Sequence, residues 1–236
     1  MAATLGRKVT AEGVGTGLLV AVVVGSGIFA ERLSPDDVGL QLLENSLATA
    51  GGLVALILAF GAVSGAHLNP IVTIADRVFG GTTTRELAAI IPAQIAGACA
   101  GAIVANLMFD LDPITLSTHE RTGDGMWLGE VVATFGLLIV ILGVVRSGRA
   151  DAAPFAVAGY IAAAYWFTSS TSFANPAVTI GRTLTDTFTG IAPSSAPAFI
   201  AMELVGGVLA IALAAYLHPN APAVDLVVPH DHADAA

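Results

Sequence analysis

Two Asn-Pro pairs stand where side-chain chemistry would matter. Asn69-Pro70-Ile71 and Asn175-Pro176-Ala177 each open an apolar stretch, 69–79 and 175–188, too short to cross about 30 Å of hydrocarbon as a helix. Asparagine is a favoured helix cap, and proline at the first helical position gives up no hydrogen bond, so each pair predicts a half-helix preceded by irregular chain. A carboxamide at such a tip can donate to a passing oxygen. Glu12, Glu130 and Glu203 lie within otherwise apolar runs and His67 sits beside the first pair, and ionisable groups so placed are functional candidates. No Ser/His, paired-Asp or His-Glu-x-x-His constellation supports catalysis, so the sequence predicts no enzyme activity, no cofactor and no metal site.

The elements that must position these residues read as membrane spans. The 236-residue chain is 55% hydrophobic and 11% charged, with a mean hydropathy of +0.80, and a soluble domain would carry roughly twice that charge. Apolar runs near 11–30, 41–64, 84–108, 127–146, 153–170 and 196–217 predict six transmembrane helices, and with the two half-helices an all-α membrane protein. The formal charge of −9 resides mainly in the loops around Asp36-Asp37 and 110–124 and in the tail, which makes nucleic acid an improbable partner. Cys99 stands alone, so no intramolecular disulfide or cysteine zinc cluster is expected. The first apolar run is full length and lacks a cleavage site, which predicts a retained helix. Six of the nine cationic residues (Arg7, Lys8, Arg77, Arg85, Arg146 and Arg149) share one side, against Arg32, Arg121 and Arg182 on the other, predicting cytoplasmic termini.

The halves, about 8–110 and 125–218, echo each other within one transmembrane domain. Ala11-Glu12-Gly13-Val14-Gly15-Thr16 aligns with Gly129-Glu130-Val131-Val132-Ala133-Thr134, the Asn69 segment aligns with the Asn175 segment, and Gln94 with Gly97 aligns with Glu203 with Gly206. Three spans per repeat force the second copy to lie inverted, so the two half-helices should enter from opposite faces and meet at the midplane. The plainer alternative makes both Asn-Pro pairs ordinary caps in loops, which the apolar, inverted and spaced context disfavours. Glycines at 25, 27, 51, 52, 97, 101, 206 and 207 read as sites of close helix packing.

With Ser64-Gly65-Ala66-His67-Leu68-Asn69-Pro70-Ile71-Val72-Thr73 and the intact Asn175-Pro176-Ala177, the chain resembles the aquaporin (major intrinsic protein) family over nearly its whole length, Ile71 replacing the alanine of the first motif. The resemblance implies an aquaporin fold, a homotetramer with one pore per subunit, and Glu12 and Glu130 bracing the loops into the half-helices. His67 is either a pore-mouth residue or a hydrogen-bonded packing histidine. The family's narrowest ring carries over by spacing to Thr49, Ala163, Ser172 and Val178, with Val178 where the family has arginine. None of these four is large, aromatic or charged, which implies a wide pore, and Arg182 is expected to serve the loop structure rather than the ring. The lack of that arginine and the run 172–193 resemble a bacterial aquaglyceroporin subgroup associated with arsenic resistance. The reading is then a passive channel in a bacterial-type inner membrane for small neutral solutes: water, glycerol-like polyols and arsenous acid. A strict water channel is the nearer alternative; a proton-coupled transporter with Glu203 as carrier is the more distant one. The tail at 219–236, with its His-Asp-His run, is expected to be a disordered polar segment.

Overall fold

The computed structural model describes residues 3–219, and the tail expected to be disordered lies outside them from residue 220 on. Eight α-helices follow one another: α1 (Leu5–Leu33), α2 (Val38–Ser64), α3 (Pro70–Phe79), α4 (Thr84–Met108), α5 (Asp124–Arg146), α6 (Ala153–Phe167), α7 (Pro176–Gly181) and α8 (Ala196–Leu217). Five of them, α1, α2, α4, α5 and α8, are long and apolar enough to cross a membrane. At 15 residues α6 is about 22 Å long, short of a full span. A 3₁₀ turn at Ala150–Ala152 precedes it and irregular chain from Thr168 follows, so the fifth span ends three residues earlier than the apolar run suggests. The first helix begins six residues before its apolar run, because Thr4 caps it by accepting from Arg7 N and Lys8 is neutralised by Glu86 Oε1 at 2.9 Å.

Two parallel helix pairs form the frame. Along α1 and α4 the chains run so close that a Cβ built on Gly97 or Gly101 would lie 2.0 Å from the carbonyl oxygen of Gly13 or Gly17. The pair α5 and α8 repeats this at Gly206, where a Cβ would meet Val131 O at 2.5 Å. Small residues permit such contact in a setting where lipid tails offer no hydrophobic drive for helices to associate. Gly51 departs from the packing expectation, for nothing lies within 4 Å of its would-be Cβ. The antiparallel α2 is tied to α1 by Asn45, whose Nδ2 donates to Val23 O and Ser26 Oγ.

The short helices obey cap chemistry. Asn69 has an extended backbone, accepts from Ile71 N through its side chain and is followed by proline; α3 ends on Gly80 with φ 92°, a conformation glycine adopts without Cβ strain. Asn175 accepts from Ala177 N and Val178 N in the same way. Unlike α3, α7 stops after six residues and tightens into a 3₁₀ turn at Arg182–Leu184, well short of the stretch to 188 read from the sequence.

Candidate functional site

The loops entering α3 and α7 are strained at matching places. Ala66 and Leu68, three and one residues before Asn69, have φ of 47° and 50°; Ser172 and Ala174, three and one before Asn175, have φ of 55° and 49°. Each non-glycine residue in this left-handed region costs about 1 kcal/mol, which the surroundings must offset. They do so with buried glutamates. Glu12 accepts from His67 N at 2.9 Å, Leu68 N at 2.7 Å, Ser64 Oγ at 2.7 Å and Gln94 Nε2 at 2.8 Å. Glu130 accepts from Phe173 N at 2.9 Å and Ala174 N at 2.8 Å. Both acids are fully buried.

With the loop N–H groups turned to the glutamates, two carbonyls cross to the other half. Asn69 Nδ2 donates to Ala174 O at 2.7 Å, and Asn175 Nδ2 donates to Leu68 O at 2.8 Å. The two helix N-termini therefore abut. Each Nδ2 keeps a second N–H, since an amide nitrogen carries two donors. Among the described residues, the carbonyls of Ala66, His67, Ser172 and Phe173 accept no hydrogen bond from protein. All four of these residues, with Leu68, Asn69, Ala174 and Asn175, line one cavity. Its remaining wall is mostly aliphatic: Leu19, Val23, Leu53, Ile57, Val72, Leu137, Ile141, Val157 and Ile161.

A chain with two inverted Asn-Pro tips joined in this way invites comparison with proteins of like architecture. Residues 2–169 match the major intrinsic protein family. The chain is 51% identical to the aquaglyceroporin AqpS of Rhizobium meliloti over 213 residues, covering 90% of this chain and 91% of the relative. The chain belongs to the major intrinsic protein family. It is also 30% identical to the probable aquaporin AqpM of Archaeoglobus fulgidus, over 92% of this chain and 99% of that one. In fold it is similar to the X-ray structure of the aquaglyceroporin from Plasmodium falciparum, with a TM-score of 0.66, 20% identity, and coverage of 92% and 96%. The family is one of membrane channels, and this member is an all-helical, multi-pass membrane protein with the aquaporin fold.

The residues carried over by spacing fall unevenly about the cavity. Thr49, Ser172 and Val178 line it, whereas Ala163 is exposed and faces away. The α6 residues on the cavity are Val157, Ile161 and Tyr165, a four-residue rhythm that puts Ala163 on the outer face. Tyr165 is buried and its hydroxyl meets Thr49 Oγ1 at 3.1 Å. Arg182 also reaches the cavity, although its Nε serves the loop by donating to Thr189 O. The lining thus includes an aromatic and a cation that the spacing argument left out. Ile71 and Ala177, the third residues of the two motifs, are buried in the core behind the caps rather than on the cavity, as are Pro70 and Pro176.

At the other end of the cavity, His67 combines both readings given to it: it lines the cavity, and its Nδ1 lies 3.2 Å from Thr73 Oγ1 with Nε2 3.7 Å from Asp76 Oδ2. Glu203 does not line the cavity. It accepts from Asn175 N at 3.2 Å and Thr179 Oγ1 at 2.7 Å behind α7, a place mirrored by Gln94, which donates to Thr73 Oγ1 at 3.0 Å behind α3. A clasp between loops was not evident from sequence: Asp186 accepts from Thr118 N at 2.8 Å, and that amide holds its carboxyl below the usual range. No cluster of three or more metal-binding side chains occurs among the described residues.

Proposed function

We propose that this chain is a passive channel for small uncharged solutes: water, glycerol-like polyols and arsenous acid. The observation that carries the proposal is the crossed pair of asparagine bonds at the head of one cavity, Asn69 to Ala174 and Asn175 to Leu68. Two helix N-termini set tip to tip put about half a positive charge each at that point, a barrier to cations and protons that neutral molecules do not feel. The spare asparagine N–H groups and the unengaged carbonyls on the cavity are a donor and acceptor path for hydroxyl solutes, and the aliphatic wall offers no competing partners. Irregular backbone at membrane depth is tolerable where it faces such a wet conduit. The aquaglyceroporin name carried by the Rhizobium relative points the same way. Thr49, Ser172 and Val178 on the cavity wall are small and uncharged, which supports polyols and arsenous acid as solutes beside water. Glu203, buried behind α7 and off the solute path, is poorly placed to carry protons in a coupled transporter. The excess of Lys and Arg on one side supports cytoplasmic termini, and the family resemblance supports a bacterial-type inner membrane and a homotetramer.

Reconstitution of the full chain in liposomes tests this. Stopped-flow shrinkage should show water, glycerol and arsenous acid entering faster than in protein-free vesicles, in proportion to concentration and without regard to a pH gradient. Saturable uptake that accumulates solute when a pH gradient is imposed would instead identify a transporter.

A further inference from the structure

Arg182 follows Val178 by four residues, and a regular helix would carry it about 6 Å further along the axis. The chain does not continue as a regular helix: α7 ends at Gly181 and Arg182 opens the 3₁₀ turn. From there the side chain, 3% exposed, folds back so that its guanidinium carbon lies 3.4 Å from the centroid of the Phe173 ring. Its Nε is used by Thr189 O, but no hydrogen bond among the described residues engages either terminal nitrogen. Neither nitrogen is sealed away as a partnerless buried atom. The residue lines both the central cavity and a second cavity beside it, where Arg121 also stands, so its free N–H groups face the space between the two. Arg121 adds a second positive charge 5.2 Å from the same Phe173 ring. Ser172, next to Phe173 in the chain, also lines the central cavity, but its Oγ is itself sealed from it.

We propose that Arg182 is the specificity-determining cation of this pore, and that its terminal N–H groups form the subsite at which a neutral polyhydroxy solute is held and a cation is turned back. The inference rests on the reading of the chain as a channel. A guanidinium presents its N–H donors in a fixed plane, suited to the oxygens of a small polyol, and carries a positive charge at neutral pH. Stacking on Phe173 keeps that plane in place without using the donors. A unit charge there is comparable to the two half charges that the abutting helix ends supply together, so it adds a second barrier to cations beside the central one. Val178, being small and uncharged, leaves room for the guanidinium to occupy the region from a different backbone position.

Urea and guanidinium, planar and nearly equal in size but different in charge, read this directly in liposomes carrying the full chain. Wild type should admit urea and glycerol while excluding guanidinium. Arg182→Gln should raise guanidinium entry about tenfold or more relative to urea, and Arg182→Lys, which keeps the charge, should hold the wild-type ratio to within about threefold. The assignment is overturned if Arg182→Gln conducts urea and still excludes guanidinium. It is equally overturned if Arg182→Lys loses water, glycerol and urea flux in equal proportion, since that marks a loop brace alone; this arm decides the matter if Arg182→Gln does not fold. Failure of the wild type to pass glycerol or urea would fault the channel reading instead.

Discussion

The loop ahead of Asn69 and the loop ahead of Asn175 share a backbone form but not the side chains that hold it. In both, left-handed residues stand three and one places before the asparagine, and a buried glutamate gathers the intervening N–H groups. Behind the first loop an acid and an amide, Glu12 and Gln94, meet directly, the amide donating. Behind the second stand two acids, Glu130 and Glu203. The half-helices differ too: α3 runs ten residues to a glycine stop, whereas α7 runs six and then turns Arg182 back toward the pore. What the halves have in common is the frame that sets the asparagines tip to tip. What they do not have in common lies toward the two mouths, with His67 and Asp76 at one and Phe173, Arg121 and Arg182 at the other.

The largest effect should come from removing the shared acids. Glu12→Leu strands three N–H donors and Glu130→Leu strands two, each worth about 1–3 kcal/mol when buried without a partner. Both variants should lose solute flux, and thermal unfolding in detergent should place Glu12→Leu below Glu130→Leu; the reverse order would show that the second loop leans harder on its acid. An exchange at the mirrored position sharpens the contrast. Glu203→Gln makes the second half resemble the first and should leave flux within about twofold, because an amide oxygen still accepts from Asn175 N and Thr179 while its N–H₂ can donate to Glu130. Gln94→Glu sets a second acid against Glu12 and removes the donor, a loss of about 1–3 kcal/mol in the same unfolding assay. Equal tolerance of both changes would erase the distinction drawn between the halves. The smallest effect compares the helix crossings: Gly97→Ala should cost more than Gly206→Ala, both within about 1–3 kcal/mol, since the carbonyl is met at 2.0 Å in one and 2.5 Å in the other. Gly51→Ala, with open space around it, should be neutral or stabilising by up to about 1 kcal/mol.

The frame was legible in the sequence because it depends on local rules that single residues announce. Asparagine before proline marks a capped start, an acid within an apolar run needs a nearby set of donors, and repetition of both in an inverted half restricts how they can meet. The cavity wall was less legible because the residues expected on it were located by counting along the chain. Counting carried the ring to Ala163, but α6 ends at Phe167 and its four-residue rhythm turns Tyr165 inward. Counting also put Arg182 out of reach, on the premise of a regular helix; the early 3₁₀ turn and the face of Phe173 bring it back. The cue available was an aromatic residue two places before the second asparagine with an arginine seven places after it, a pairing that acquires meaning only when the loop and helix fold over one another. The Asp186 clasp to Thr118 joins residues 68 apart and left no such cue.

The crossed asparagine bonds have a consequence for how the chain is made. The amide of Asn69 finds its acceptor 105 residues downstream and the carbonyl of Leu68 finds its donor 107 downstream, so the first tip cannot be completed when the first half leaves the ribosome. At ordinary synthesis rates about 5–20 s pass before the second tip arrives. During that interval the young protein holds unmatched polar groups within the bilayer, where water or the insertion machinery must shelter them.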